Sequence, residues 1–128
     1  MSVSKSKSTS RKVMIVDDEE GVRESLKLIL GDHYDLLVCE NGDAALELLK
    51  TAHKEDGVIM MDIKMPKKSG LETLQEMHAQ YPAIKVIIVT GYKSVETAQE
   101  AVRLGASGYI VKPFKGDEIL ATVGKNLR

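Results

Sequence analysis

From Lys12 onward the chain alternates two patterns. Short continuous apolar runs give way to segments whose apolar residues recur every three or four positions. Apolar runs of four to eight residues read as strands, and a period near 3.6 reads as a helix. The runs predict strands β1 (Lys12–Val16), β2 (Tyr34–Cys39), β3 (Gly57–Met61), β4 (Ile84–Val89) and β5 (Ser107–Val111). The periodic segments predict α1 over Gly21–Leu30, with Val22, Leu26, Ile29 and Leu30 on one face, and α2 over Asp43–Ala52, with Ala45, Leu46, Leu48 and Leu49 as its apolar surface. They also predict α3 over Gly70–Gln80, with Leu71, Leu74 and Met77 at spacings of three, and α4 over Ser94–Leu104, with Thr97, Ala98, Ala101 and Leu104 inward. Gly116–Leu127 is the last helix, α5. Pro82 disfavours helix at the residue before it and so closes α3. Ser94 suits an N-cap and Gly105 a C′ position.

Five strands, each followed by a helix, make a (βα)5 α/β protein. Strands rich in Val and Ile throughout belong in a parallel sheet covered on both faces. Right-handed crossovers leave few topologies, and the doubly wound, flavodoxin-like order 2-1-3-4-5 is the one expected. In that order ligands bind outside the carboxyl ends of the strands, where β1 and β3 send their connections apart. Residues 1–11 (MSVSKSKSTSR) lack apolar periodicity and read as a flexible Ser/Lys-rich tail, leaving 12–128 as one domain.

Composition narrows the function. With 18 basic and 19 acidic residues, the net charge is −1, so no broad electrostatic footprint for nucleic acid or an anionic membrane is expected. No apolar run approaches the roughly 20 residues of a membrane span. The start of the chain has no apolar secretory core. Together with a single cysteine, Cys39, these features lead us to expect a cytoplasmic protein. Cys39 is expected to be half-buried and remote from any site.

The strand ends carry the chemistry. Asp17 and Asp18 follow β1, then Glu19 and Glu20. Asp62 follows β3, Thr90 follows β4, and Lys112-Pro113 follows β5. Clustered carboxylates repel unless a cation joins them. A hard divalent ion such as Mg²⁺ suits a site with few carboxylates that also accepts a phosphate oxygen. An aspartate can then attack a phosphoryl group and form an acyl phosphate, a transfer that needs mainly positioning and charge neutralisation. Each residue also has a plain structural role open to it: acids favour a helix N-terminus, and Asp62, Thr90-Gly91 and Lys112 could be turn or surface residues. Acids at two adjacent strand ends, with a hydroxyl and an ammonium at the next two, outweigh those separate accounts.

These pieces resemble the receiver domains of bacterial response regulators. The matching segments are Val16-Asp17-Asp18-Glu19, Asp62-Ile63-Lys64-Met65-Pro66, Thr90-Gly91, Gly105-Ala106 and Lys112-Pro113-Phe114. The resemblance implies that Asp62 is the phosphoacceptor and that Mg²⁺ is held by Asp18, Asp17, Asp62 and the Lys64 backbone carbonyl. It implies that Thr90 and Lys112 bind the phosphoryl group, that Tyr109 is a switch aromatic turning inward as Thr90 moves, and that Lys112–Pro113 is a cis peptide. Lys64 and Tyr92 fall where the family tunes phosphoryl lifetime, and the bulk of Tyr92 is expected to slow attack by water. Lys67-Lys68 stands where relatives often have a glycine. The implied partners are a sensor histidine kinase or phosphotransfer protein as donor, and an output domain or effector on the α4-β5-α5 face, controlling transcription in some relatives. A phosphorylation-dependent homodimer on that face is compatible with the resemblance.

The implied protein is a switch and not a turnover enzyme. It catalyses its own phosphorylation and slow dephosphorylation only. An aspartyl phosphatase is disfavoured because such enzymes place a second acid two residues after the nucleophile, where this chain has Lys64. The alternative is a phosphorylation-independent interaction module of the same fold, disfavoured by the intact acidic set. His33, His53 and His78 have no mutual ligand spacing.

Overall fold

In the computed structural model, which describes residues 12–52, 57–64 and 69–127, ten elements alternate along the chain. They are β1 (Lys12–Val16), α1 (Glu20–Leu30), β2 (Asp35–Cys39), α2 (Gly42–Ala52), β3 (Val58–Met61), α3 (Gly70–Gln80), β4 (Lys85–Thr90), α4 (Val95–Arg103), β5 (Gly108–Val111) and α5 (Gly116–Asn126). The strands form one sheet in the order β2-β1-β3-β4-β5, with every pairing parallel. This is the expected doubly wound topology. The Ser/Lys-rich segment 1–11, His53, Met65-Pro66 and the Lys67-Lys68 pair lie outside the described residues.

Successive strand residues face opposite sides of a sheet, and here that divides the core in two. Val13 and Ile15 of β1 join Leu26 and Leu30 of α1 and Ile119 and Val123 of α5. Met14 and Val16 join Ala45 and Leu49 of α2, Leu74 and Met77 of α3, and Ala101 of α4. The chain leaves β1 toward β2 and then returns past it to β3. Right-handed crossovers in opposite directions therefore put α1 on one face and α2, α3 and α4 on the other. Each fully buried Ile or Leu contributes about 1.5–3 kcal/mol relative to exposure, so the central strands form the rigid floor on which the strand-end loops stand.

Two helix boundaries show how local sequence sets the chain path. The Ser94 hydroxyl accepts from the Thr97 amide (3.3 Å) and caps α4. At the other end Gly105 takes φ +115°, while Gly105 N–H donates to the Val102 carbonyl and Ala106 N–H to the Ala101 carbonyl. This is a Schellman closure, and a left-handed φ there favours glycine. Most other boundaries move by a residue from expectation, and one of these shifts bears on the site. Thr90 is the last residue of β4 and not the first after it, because the ladder continues through Thr90↔Val111. A polar side chain ended the apolar run in sequence, but backbone pairing is indifferent to it.

Candidate functional site

The backbone ladder carries the key residues past the strand ends. Asp17 N–H donates to the Cys39 carbonyl (3.2 Å), Asp62 N–H to the Val16 carbonyl (3.1 Å) and Lys112 N–H to the Thr90 carbonyl (2.8 Å). Asp17 and Asp62 are thereby fixed side by side on the adjacent strands β1 and β3. They are 1% and 4% exposed, and Thr90 is fully buried. Asp18 is exposed, yet one carboxylate oxygen from each of Asp17, Asp18 and Asp62 lies within 4.8 Å of the others. Gly70 allows the turn after Asp62 to fold tightly, since a Cβ there would stand 2.2 Å from Ile63 Cα.

Burying carboxylates is costly unless each finds partners. Asp17 Oδ1 accepts from the Glu19 amide and Asp62 Oδ1 from the Lys64 amide, both at 2.9 Å. Their second oxygens face Lys112, whose Nζ lies 3.1 Å from Asp17 Oδ2, 2.9 Å from Asp62 Oδ2 and 3.2 Å from Glu19 Oε1. The ammonium's three hydrogens thus have three carboxylate acceptors. Burial favours the neutral amine, but hydrogen bonds and charge from Asp62 and Asp17 outweigh it and hold the Lys112 pKa above the ordinary lysine value. Asp17 is also raised: burial outweighs the lowering by the Glu19 amide and Lys112, and the Asp62 charge adds to the rise. An isolated ion pair lowers its acid, whereas here one ammonium is shared among several.

The structure brings Asp17, Asp18, Asp62 and Lys112 together. Lys64 reaches the site through its amide, and its side chain turns away, with Nζ 5.6 Å from the Tyr92 ring centroid. The Thr90 Oγ1 accepts a long bond from the Tyr92 amide (3.4 Å). Tyr109 is half-buried against the core, and its hydroxyl donates to the Tyr92 carbonyl (3.1 Å). Burial, and then the charge of Asp62, raises the Tyr109 pKa. The Lys112–Pro113 peptide is cis. The expectation for Cys39 needs correction. It is buried at 7% exposure as part of the core, and its carbonyl supports Asp17, because β2 pairs with β1 to its last residue.

Sequence reasoning passed over two contributors. Glu19 shares Lys112, and the only sequence signal was its place directly after the acid pair. Arg23 donates from Nη1 to the Asp17 carbonyl (2.9 Å), a reach explained by its position one turn into α1. A cleft of about 600 Å³ opens beside the site, lined by Glu19, Val22, Ser25, Lys112, Pro113 and Phe114 among others. Chemically, the three clustered carboxylates are a hard oxygen donor set that suits Mg²⁺. The lysine and buried hydroxyl beside them suit phosphoryl oxygens.

A doubly wound sheet with an acid cluster and a lysine at its switch point defines a class of α/β signalling domains, and comparison with known proteins makes the class specific. The family model for the response regulator receiver domain matches residues 13–124. The chain is 38% identical over 118 residues to the regulatory protein AtoC of Escherichia coli K12, covering 91% of this chain and 25% of AtoC. It is 38% identical over 115 residues to the transcriptional regulatory protein FixJ of Azorhizobium caulinodans, covering 90% of this chain and 54% of FixJ. The crystal structure of a CheY-like response regulator receiver domain protein from Methanospirillum hungatei JF-1 matches with a TM-score of 0.86 at 29% identity, covering 93% of this chain and 94% of that one. The chain belongs to the response regulator receiver domain family, whose members are phosphorylation switches of two-component signalling. It spans about a quarter of AtoC and about half of FixJ. Among the described residues, no helix is long and apolar enough to cross a membrane.

Proposed function

We propose that Asp62 accepts a phosphoryl group from a phosphohistidine on a sensor kinase or phosphotransfer protein, and that the chain then changes the affinity of its α4-β5-α5 face for an output domain or effector. The observation that carries this reading is the placement of Asp62: buried, 2.9 Å from the Lys112 ammonium, and within 4.8 Å of the Asp17 and Asp18 carboxylates. With Asp62 Oδ1 occupied by the Lys64 amide, Oδ2 is the oxygen that attacks phosphorus. A new O–P bond forms as the donor's P–N bond breaks, and the imidazole nitrogen keeps the electron pair.

The acid cluster fits Mg²⁺, which Asp17, Asp18, Asp62 and the Lys64 carbonyl would hold. When bound, it neutralises charge on the carboxylates and the incoming phosphoryl oxygens. Lys112 moves its hydrogen bonds from Asp17 and Glu19 to the phosphoryl oxygens, and the Thr90 hydroxyl donates to another. The cleft bordered by Glu19, Lys112 and Phe114 gives a donor imidazole access from the α1 side. Hydrolysis of the acyl phosphate is the slow reverse arm of the switch, with no other turnover. On the output side, Val95 and Val102 of α4 are 69% and 60% exposed and offer apolar surface to a partner or to a second phosphorylated copy.

The test is the intact mass after incubation with Mg²⁺ and acetyl phosphate, with Asp62→Asn alongside. A Mg²⁺-dependent gain of one phosphoryl group, absent in the variant, is the expected result. No gain in a folded protein would overturn this reading in favour of a phosphorylation-independent interaction module.

A further inference from the structure

Glu19 stands at the N-cap of α1, yet its side chain makes no capping bond. Its Oε1 lies instead 3.2 Å from Lys112 Nζ, and 63% of the side chain is exposed. It also lines the cleft of about 600 Å³, with Val22, Ser25 and Phe114. Asp62 Oδ2 lies 2.9 Å from the same ammonium. A single nitrogen therefore stands between the oxygen that attacks phosphorus and a carboxylate on the wall of the cleft.

We infer that Glu19 selects the leaving group of the phosphodonor, favouring a nitrogen that carries N–H and positive charge over an anionic oxygen. The inference rests on Asp62 as phosphoacceptor and deepens that reading by naming the donor class. The argument starts from the closed walls. Asp17, Asp62 and Thr90 are buried, so a group leaving phosphorus departs on the exposed side, where Asp18 and Glu19 stand. Asp18 is one of the three clustered carboxylates that suit a cation, and its charge is met when the ion binds. The Glu19 charge is met by Lys112 alone. An ammonium has only three hydrogens to give. Once phosphoryl oxygens take them, Glu19 is left facing the leaving group. Two donor classes then part. In phosphoramidate the nitrogen on phosphorus carries N–H and positive charge, and these can meet Glu19. As Asp62 Oδ2 forms its O–P bond, the P–N bond breaks, the electron pair stays on nitrogen, and ammonia leaves. In an acyl phosphate the P–O bond to the acyl oxygen breaks, the pair stays on that oxygen, and a carboxylate leaves against the Glu19 charge. Specificity is the difference between these two effects. An exposed charge contact is worth a factor of up to about five, and salt screens it.

The test compares two small donors, phosphoramidate and acetyl phosphate. Intact mass is followed over time at constant Mg²⁺ in wild type, Glu19→Gln and Glu19→Asp. The quantity read is the ratio of the two rate constants within each protein, so any change in Asp62 reactivity, Lys112 or metal loading that acts on both donors alike cancels. Glu19→Gln is expected to lower the phosphoramidate-to-acetyl phosphate ratio about fivefold, in part by speeding the reaction with acetyl phosphate, a gain that a damaged fold does not produce. Glu19→Asp keeps the charge and should hold the ratio within about twofold of wild type. High salt should narrow the gap between wild type and Glu19→Gln. A ratio that coincides in wild type and Glu19→Gln would overturn the selection, as would an aspartate variant that behaves like the glutamine one. Absence of a mass gain from either donor in wild type would remove the phosphoacceptor reading and this inference together. Transfer from both donors with an unmoved ratio counts against the Glu19 role alone.

Discussion

Lys112 is the residue on which the charge balance of the pocket turns, because its ammonium meets Asp17, Glu19 and Asp62 together. Removing it leaves two buried carboxylates facing each other without a counter-charge. Breaking such a buried arrangement costs about 3 kcal/mol, so Lys112→Met in EDTA is expected to shift the urea midpoint downward by that equivalent. The pH dependence has a definite sign. The Lys112 pKa is raised in the folded protein, so its stabilisation is fully present below the unfolded lysine value of about 10.4 and is lost as pH rises beyond it. Asp17 runs in the same direction, against the habit of a paired acid. Its folded pKa is raised, so its contribution declines as pH climbs through the ordinary aspartate range near about 4. Above about pH 10.4 the wild type should therefore lose stability more steeply than Lys112→Met, with the other lysines common to both. Parallel curves would show that Lys112 contributes no such linkage. Cys39 gives an independent check on burial. Its thiol is pushed up to about 11 by desolvation, so at pH 8 it carries roughly a hundredfold less thiolate than a free cysteine. A disulfide reagent such as DTNB should label it only after unfolding.

At the scale of elements, glycines separate positions the backbone needs from positions it merely tolerates. A Cβ on Gly124 of α5 meets nothing within 4 Å. Gly124→Ala is accordingly expected to raise stability by about 0.5–1 kcal/mol through helix propensity. A Cβ on Gly70 meets Ile63 Cα at 2.2 Å and the Asp62 carbonyl at 2.8 Å. These are backbone atoms that cannot step aside, so Gly70→Ala should cost about 2 kcal/mol or more and weaken phosphoryl acceptance, because α3 presses on the turn after Asp62. Thermal melts of the two variants give opposite signs if this reading holds. The same elements show what the sequence could carry. Gly70–Gln80 was read to the residue, and Ser94 and Gly105 were recognised as the cap and closure of α4, because capping is local chemistry. The βα rhythm narrowed the strand order to a few topologies, of which the expected 2-1-3-4-5 is the one found. What stayed hidden depends on contacts between distant segments. The third carboxylate on Lys112, the grip of Arg23 on the Asp17 carbonyl and the hydrogen bond of Tyr109 to the Tyr92 carbonyl are set by sheet register and rotamer, which no local pattern encodes. The fit of Gly42 against Thr73 Oγ1, 2.3 Å from where a Cβ would stand, is invisible for the same reason.

For the whole molecule, the carboxylates that folding brings together are the ones proposed to hold the cation. The sheet brings Asp17 and Asp62 together through backbone bonds, so the folded chain presents the clustered carboxylates and the unfolded chain does not. A ligand that binds only the folded state stabilises it in proportion to the logarithm of its concentration once above its dissociation constant. Mg²⁺ is therefore expected to raise the melting temperature of the wild type progressively, and EDTA should reverse the gain. Asp18→Ala, which removes an exposed member of the cluster without opening the core, should flatten the response. Lys112→Met should steepen it, since the ammonium already occupies one oxygen of Asp17 and one of Asp62 and competes with any cation for their charge. The variant least stable in EDTA thus becomes the one most rescued by metal. A melting temperature independent of Mg²⁺ in all three proteins would mean that the carboxylates hold no metal at the concentrations tested, with or without Lys112 in the pocket. The pattern of wild type, flattened Asp18→Ala and steepened Lys112→Met would instead place the ion and the lysine on the same two aspartates, with Asp18 as the ion's own ligand.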